Sequence, residues 1–439
     1  MRLLLSIFLL SIYSPFPIQA ETFKPSENWS SWRGEDGRGV IETGTPPIRW
    51  SESENIKWKA DLPGEGQSTP IIWNELIILQ TAIPISEDNG EIRSAFGNGA
   101  PTSKKITTPY TFEVLALSKD TGDIVWQTEV LETQPHEGHH PSGSLAPYSP
   151  VTDGKFIWAS FGSRGLYCLD MEGKKIWSKQ TDKLKKAGRF GEGSSPLLVD
   201  DVIVVLADQE GQSKITAYNK SNGDIVWEQM RDEISSWSSP IAAQVDGRTE
   251  IITSASNAIR SYDSKTGELI WQSRGLTGCA APTPVVANGK VYCSTGFRGI
   301  STMVIELGHE GDLTDSDAIS WRTQKVGANV PSPLVYKNQL YVFKGYSSSL
   351  SSFNAETGEE YFHGERIDGL KQVYASPIGV NGYVYVSGRN GKTAILKAGN
   401  DFDVVAVNEL DTILDGSPVV VGNELFLRGR MKLYCIAKN

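Results

Sequence analysis

A Ser-Pro or Thr-Pro pair returns at nearly regular intervals along this chain of 439 residues, and its spacing strongly constrains the fold. The prolines occupy positions 70, 150, 196, 240, 284, 333, 377 and 418, with separations of 80, 46, 44, 44, 49, 44 and 41 residues. The chain therefore contains eight units, the first of them enlarged by an insertion. A repeat of roughly 40–50 residues is typical of the blades of a propeller.

Each unit has the pattern of four short strands, as the third unit shows. Its apolar runs cover 195–199, 202–208, 214–219 and 224–229, and short turn-like segments join them. A proline is tolerated at the start of a first strand, because that residue can forgo its ladder donor. Four strands per unit predict an all-β fold, namely an eight-bladed β-propeller of four-stranded antiparallel blades.

A glycine followed four residues later by an aromatic residue marks the turn into the fourth strand, as in "KDTGDIVWQ" at 119–127. Glycine suits this turn because it adopts positive φ at little cost. A tryptophan on the outermost strand can fill the seam with the next blade, where burying about 200 Å² contributes up to ~5 kcal/mol before entropy costs. The predicted structural tryptophans are Trp58, Trp126, Trp177, Trp227, Trp271 and Trp321. Unit six has Phe362 at this position and unit seven has no aromatic residue, so we expect weaker outer seams there.

The eighth unit ends after three strands, and "NIKWKADLP" at 55–63 precedes the first unit with a strand-like pattern and Trp58. We therefore expect this N-terminal strand to complete the last blade and close the ring. The resulting domain assignment is a signal peptide at 1–20, an N-terminal extension at 21–54 and one propeller domain at 55–439. Two insertions in blade one, 83–109 and 131–148, complete the assignment.

The first residues predict export to the periplasm or secretion. Arg2 precedes an apolar run at 3–13, and Ala20 offers a cleavage point. No later segment is long and apolar enough to suggest a transmembrane helix. The net charge of −10 and the lack of a large basic block argue against nucleic acid as a partner. We expect a monomer.

The four cysteines leave two interpretations open. Their number would allow two disulfides in an oxidising compartment. Their positions in strands of non-adjacent or out-of-register segments favour buried free thiols instead. The residues concerned are Cys168, Cys279, Cys293 and Cys435.

One face of the predicted propeller carries the candidate binding site. The connections between blades and the loops between strands two and three open on this face, whereas the opposite face has mostly two-residue turns. Function concentrates on such loops. The predicted ligand-binding residues are Arg189, Glu192, Arg231, Asp232, Trp237, Arg298, Asn329, Tyr374, Arg389, Asp415 and Arg428. Convergent arginines could hold a small anionic ligand or an acidic protein partner, or they could pair with the carboxylates beside them.

The exit loop of blade one contains three histidines within "HEGHH". Grouped imidazoles can bind a transition metal, so His136, His139 and His140 are a candidate metal site. The alternative is a polar surface loop without metal.

The repeat "DTGDIVW", with its relatives "SKTGELIW" and "AETGEEYF", resembles the repeat of the PQQ-like propellers. That family includes pyrroloquinoline-quinone dehydrogenases and an outer-membrane assembly propeller lipoprotein. The opening "NWSSWRGEDGRGV" at 28–40 is similar to secreted bacterial proteins with PQQ-like repeats. The resemblance implies the propeller fold and two functions: a binding or assembly scaffold, or a periplasmic oxidoreductase, dependent on PQQ with calcium or of another kind, with its site in the central funnel. The enzymes' vicinal Cys-Cys pair is absent from this chain, and no stretch matches their Asp base and calcium ligands, which favours the scaffold.

Overall fold

The computed structural model describes residues 28–94 and 103–438. The predicted signal peptide lies outside these residues, as do 95–102 of the first insertion. Eight four-stranded antiparallel sheets follow one another along the chain, which confirms the predicted eight-bladed propeller. Apart from two single-turn 3-10 helices, Gly162–Arg164 and Ala187–Arg189, the described residues contain no helix. Consequently no helix in this part of the chain is long and apolar enough to cross a membrane.

Each blade runs from its first strand at the axis to its fourth strand at the rim. Blade one comprises Ile71–Trp73, Leu76–Pro84, Tyr110–Ser118 and Ile124–Thr133, and blade two comprises Val151–Thr152, Phe156–Ser160, Leu166–Asp170 and Lys175–Lys179. Blade three comprises Leu197–Val199, Val202–Ala207, Ser213–Asn219 and Ile225–Arg231, and blade four comprises Ile241–Val245, Arg248–Ser254, Ile259–Asp263 and Leu269–Ser273. Blades five to eight comprise Val285–Ala287, Lys290–Thr295, Ser301–Glu306 and Ile319–Thr323; Leu334–Tyr336, Gln339–Lys344, Ser349–Asn354 and Glu360–Arg366; Ile378–Val380, Tyr383–Ser387, Lys392–Lys397 and Val404–Glu409; Val419–Val421, Glu424–Arg428, Lys432–Ile436 and Ile56–Asp61. The additional short strands are Val40–Ile41, Ile92–Arg93, Ser103–Lys104 and Gly311–Asp312.

The N-terminal strand closes the ring as expected. Ile56–Asp61 runs antiparallel to Lys432–Ile436, with Ile56 opposite Ile436 and Asp61 opposite Lys432. Without this strand, Lys432–Ile436 would be an unpaired sheet edge.

Tryptophans at the rim of the propeller contact the next blade. The indole N–H of Trp126 donates to the carbonyl of Met171 at 2.9 Å, and a Cβ on Gly173 would lie 2.7 Å from the Trp126 ring. Each glycine in such a turn therefore provides room for a ring as well as positive φ. The same arrangement joins Trp58 to Gly122, Trp177 to Gly223, Trp227 to Gly267 and Trp321 to Gly358. We call these five pairs the Trp–Gly contacts.

Three outer seams are built differently. Trp271 donates to Glu250 of its own blade at 3.0 Å, because the long connection after Glu306 in blade five replaces the tight glycine turn. In blade six, Phe362 packs edge-on against Phe402 at 5.5 Å between ring centroids. These contacts show that the repeat can vary at the rim while the blade remains intact.

The outer seam of blade seven, expected to be weak, is filled by the N-terminal extension. Trp50 is only 4% exposed and belongs to a core cluster that includes Tyr385 and Ala406 of blade seven. Its backbone N–H donates to the Asn408 side chain at 3.0 Å. The expectation of a weak seam was wrong because the missing aromatic residue is supplied from outside the repeat.

At the axis, the hydroxyl that precedes each proline joins neighbouring blades. Each hydroxyl oxygen accepts the backbone N–H of the corresponding residue in the preceding blade, at distances between 2.8 and 3.1 Å. The eight bonds form a closed ring, because Ser417 in turn donates its N–H to Thr69. We call this ring the hydroxyl belt; its members are Thr69, Ser149, Ser195, Ser239, Thr283, Ser332, Ser376 and Ser417. The Ser/Thr-Pro marker thus has a structural cause.

Residues 28–45 lie along the face that carries the two-residue turns. Trp29 pairs with Ile72 through two backbone hydrogen bonds of 2.7 and 2.8 Å, and Val40–Ile41 pairs in parallel with the first strand of blade seven. Thr45 bonds to the Asn423 side chain in a turn of blade eight. Trp32 lies between these attachments and lines the central channel. The extension therefore covers this end of the channel.

The four cysteines are buried free thiols. Burial raises the pKa of Cys168 to about 12, so its thiol stays protonated near neutral pH. This outcome agrees with the interpretation favoured by the strand positions.

Candidate functional site

The face opposite the N-terminal extension carries the long connections, and we call it the loop-rich face. A large cleft of about 880 Å³ lies there, between the blade-one insertions and the connections that follow. Six cationic side chains and two carboxylates line it. The cations are Arg93, Lys105, Lys185, Lys186, Arg189 and Arg298, and the carboxylates are Glu137 and Glu210. We call this the basic cleft; its positive excess contrasts with the chain's net charge of −10.

Three of these cations point to an anionic ligand most directly. Lys105, Lys185 and Arg189 are exposed, and none forms an ion pair with a residue that the structure describes. They come from two segments, the blade-one insertion and the connection after blade two. Their charges remain available to a partner, and because they are exposed their attraction depends on ionic strength.

The blade-one exit loop is fastened over the connection between blades two and three. His136 bonds through Nε2 to the carbonyl of Leu184 at 2.8 Å, and the Lys186 backbone N–H donates to Glu137 at 3.2 Å. The His140 backbone N–H donates to the Phe190 carbonyl at 2.9 Å. The rim of the basic cleft is therefore held in place on one side.

The three histidines of this loop do not form the predicted metal site. His136 faces Leu184, His139 bonds to the His140 carbonyl, and His140 bonds to Ser142. Burial lowers the pKa of His139. Within residues 28–94 and 103–438, no three His, Cys, Asp or Glu side chains are grouped so as to hold a metal. The histidines instead fix the loop.

Lys186 is part of the wall between the basic cleft and the axis. Its ammonium donates to the carbonyls of Asp208 and Ser236, both at 2.7 Å, and lies 4.7 Å from the centre of the Trp237 ring. Burial lowers its pKa to about 8. With two carbonyls and a ring face as neighbours, Lys186 holds two connections together rather than facing a ligand.

Several predicted ligand-binding residues lie inside the blades. Arg231 is buried in an ion pair with Asp208 at 2.8 Å, and it also donates to Tyr262 at 2.6 Å. Arg428 is buried and donates to the backbone carbonyls of Ser68 and Gln80. These two arginines therefore support the structure and do not reach the basic cleft.

Other predicted residues are also engaged by neighbours. Glu192 accepts from Tyr148 at 2.9 Å and pairs with Arg164, while the exposed Asp232 pairs with Arg260. Asn329 is buried, and its side-chain oxygen has no hydrogen-bond partner among the described residues. Only Arg189 and Arg298 of the predicted arginines line the basic cleft.

The remaining predicted residues gather around the mouth of the central channel. Arg389 pairs with Asp415 at 2.6 Å and covers the ring of Tyr374 at 4.8 Å. Asp415 also accepts from Gln67 at 2.8 Å. Tyr374, Asp415 and Trp237 line a cavity of about 210 Å³ at the axis, with seven members of the hydroxyl belt and Trp32. We call this cavity the channel.

Exposed apolar side chains lie on the loops of this face. Phe297 is 42% exposed and packs edge-on against Phe190, which also contacts Trp237. Tyr346, on another blade, is 51% exposed. The other exposed apolar residues of these loops are Ile85, Ile92, Ile234, Ile413 and Met431. Aromatic residues beside a charged cleft are typical of a protein-binding surface.

Sequence reasoning missed Lys105, Lys185, Phe297 and Trp32 as residues of these sites. The lysines belong to short basic stretches that are typical of solvated loops, "KK" at 104–105 and "KLKK" at 183–186. Trp32 stands outside the repeat, so no blade position predicted its place. One signal was available: a Ser or Thr precedes the marker proline in every unit, and this regularity points to the belt.

The fold defines the class of this protein. It is an eight-bladed propeller whose central channel is covered at one end. The family model described as outer membrane protein assembly factor BamB matches residues 111–315 and 252–438. The chain belongs to this family of PQQ-like propellers.

Two curated relatives and one solved structure illustrate the range of similar proteins. The tetrathionate hydrolase of Acidithiobacillus ferrooxidans is 24% identical over 69% of this chain and 57% of its own length. The outer membrane protein assembly factor BamB of Burkholderia pseudomallei is 23% identical over 55% of this chain and 65% of its own length. The chain thus spans less than two thirds of either relative. The quinohemoprotein alcohol dehydrogenase of Comamonas testosteroni superposes with a TM-score of 0.60 at 9% identity, covering 94% of this chain and 81% of that one. This last likeness establishes a shared fold.

The channel does not offer the residues that the PQQ–calcium resemblance implies. No two cysteines are adjacent, and all four are buried thiols. Calcium takes six to eight oxygen ligands, usually with several carboxylates. Among the described residues that line the channel, Asp415 is the one carboxylate, and Arg389 and Gln67 already bind it. We therefore derive no reaction step through this cofactor.

Proposed function

We propose that this protein is an exported binding or assembly scaffold that docks a partner protein through the loop-rich face. The basic cleft beside exposed aromatic residues carries this proposal. Its cations attract an acidic segment of the partner, while Phe297 and Tyr346 offer apolar contacts. The N-terminal extension occupies the opposite face, which leaves the loop-rich face for the partner.

Charge separates this surface from the rest of the molecule. The overall charge of −10 repels acidic partners at long range, so an acidic segment gains only where positive side chains are concentrated. Lys105, Lys185 and Arg189 supply that concentration. Binding should accordingly weaken as salt rises, because exposed charges are screened.

The test uses a photo-reactive amino acid introduced at Phe297 in the producing cell, with the same residue at Asp201 on the turn-bearing face as control. We expect a discrete adduct at position 297, and an acidic stretch in the captured peptide. The double variant Lys185→Gln, Arg189→Gln should abolish the adduct without changing the melting temperature. The matched variant Lys174→Gln, Lys265→Gln, with exposed lysines in turns of the other face, should retain it. Equal labelling from both faces, or an adduct indifferent to the cleft charges, would reject the proposal.

The alternative function, a quinone-dependent oxidoreductase, stays a prediction from the family resemblance. Two measurements test this function. The first is the absorbance spectrum of the purified protein after incubation with PQQ and calcium, and the second is dye reduction with alcohols or sugars as substrates. A bound quinone with dye reduction would replace the scaffold proposal.

A further inference from the structure

The hydroxyl belt leaves eight O–H groups at the axis without an acceptor. Each belt oxygen accepts one backbone N–H, and no belt hydroxyl donates to any residue that the structure describes. All eight residues are buried. A buried hydroxyl that does not donate is costly, so the seven belt hydroxyls that line the channel require an acceptor within it.

The channel has many donors and few acceptors. Seven belt hydroxyls line it, and the indole N–H of Trp32 at its covered end makes no hydrogen bond with a described residue. No lysine or arginine is among its described lining residues. Asp415 is already bound by Arg389 at 2.6 Å and by Gln67 at 2.8 Å. An occupant must therefore bring its own acceptor atoms.

The size of the channel limits the occupant. Its volume of about 210 Å³ lies below the roughly 300 Å³ at which pockets begin to hold drug-sized ligands. Trp32 covers one end, so the occupant enters from the loop-rich face. A compact molecule with oxygens pointing in several directions matches a ring of donors around one axis.

We propose that the channel binds a small, fully ionised oxyanion of the sulfate class, held by the neutral hydroxyls of the belt. Hydrogen bonds to an ionised acceptor are about twice as strong as neutral ones. Donors fixed by the inter-blade bonds need no rearrangement when the anion arrives. The site is separate from the basic cleft and does not depend on the docking function.

The scarcity of acceptors predicts a preference between similar anions. Sulfate presents four acceptor oxygens and no proton. Hydrogenphosphate keeps an O–H that needs an acceptor, and the one lining carboxylate, Asp415, is already engaged. A site with more free donors than free acceptors disfavours a ligand that brings its own buried O–H. Sulfate should therefore bind at least about tenfold more tightly than inorganic phosphate at pH 7.

The belt itself contains a matched control for this test. Ser239 lines the channel, whereas Ser332 accepts the same kind of inter-blade bond but does not line it. Calorimetric titration with sodium sulfate should show binding weakened about tenfold or more in Ser239→Ala and unchanged within about twofold in Ser332→Ala. Ser239→Thr, which keeps the hydroxyl, should restore affinity. Equal losses in both alanine variants would mean that the belt has only a structural role.

A second measurement distinguishes the channel from the basic cleft. Crystals soaked in sodium selenate should show an anomalous peak on the axis between the belt and Trp32. Sulfate affinity should fall little between low and moderate sodium chloride, because the donors are uncharged, and it should survive Lys185→Gln with Arg189→Gln. A peak confined to the cleft, no peak at all, or loss of binding in the cleft variant would overturn the proposal.

Discussion

At the axis, all eight seams between blades are bridged by the same bond, the hydroxyl belt; at the rim, only five seams carry the Trp–Gly contact. The difference follows from distance. First strands converge near the axis, where a single hydroxyl can reach the next backbone. Outer strands diverge, so a large ring is needed there, and Trp50 or Phe402 can serve as well as the repeat's own residue. Variation in sequence is therefore tolerated at the rim and restricted at the axis.

The largest expected effect comes from removing the strand that closes the propeller. Deleting residues 1–63 removes the fourth strand of blade eight together with Trp58 and Trp50, and exposes the edge of Lys432–Ile436. We expect loss of a cooperative thermal transition and aggregation in size-exclusion chromatography. Deleting only residues 1–27 keeps every contact described above and should leave the transition intact. A deletion through 63 that melts like the shorter one would contradict the closure.

Trp227→Ala tests one outer contact. The ring is buried against Gly267 and donates to Ser264 at 2.9 Å, so its loss should lower the free energy of unfolding by roughly 3–5 kcal/mol. Denaturant titration measures the change. The neighbouring Val226 is exposed, and Val226→Ala should cost under about 0.5 kcal/mol. A loss for Trp227→Ala below about 1 kcal/mol would show that this ring does not fill the seam.

Gly267→Ala approaches the same contact from the other blade. The glycine has φ +74°, and a Cβ would lie 2.5 Å from the Trp227 ring. Backbone strain of about 1–2 kcal/mol plus the clash should lower the free energy of unfolding by about 2–3 kcal/mol. Gly247 has φ +80° with no atom within 4 Å of such a Cβ, so Gly247→Ala isolates the strain. If Gly267→Ala and Gly247→Ala lower the free energy of unfolding equally, the contact between Gly267 and the Trp227 ring contributes nothing to stability.

Ser332→Ala tests the axis and should have the smallest effect. It removes one of eight equivalent bonds, that from Thr283 at 2.9 Å, and should cost about 1 kcal/mol. Ser332→Thr, which keeps the hydroxyl, should recover most of the loss in the same titration. A loss above about 3 kcal/mol would mean that the eight belt bonds are cooperative.

The repeat predicted the fold because each blade contains the same local features: the repeat length, the turn glycine and the marker proline. The repeat could not predict the positions of residues that lie outside it. The sequence therefore did not show that Trp32 covers the channel or that Trp50 fills a seam. The direction of a loop arginine also escapes the sequence. Arg231 turns inward because Asp208 follows the second strand of the same blade and pairs with it. Arg189 has no such partner among the described residues. Their sequence contexts look equally polar.

The pairing of Ile56 with Ile436 sets the order in which this chain can mature. A strand made before blade one must wait, unpaired, until the third strand of blade eight exists. Contacts between such distant residues slow folding, because the loop-closure entropy is lost before the contact is gained. During that interval two strand edges remain open to other chains. The propeller is therefore most vulnerable to aggregation between its synthesis and the pairing of these two strands. A chaperone that shields Ile56–Asp61 during this interval would increase the yield of folded protein.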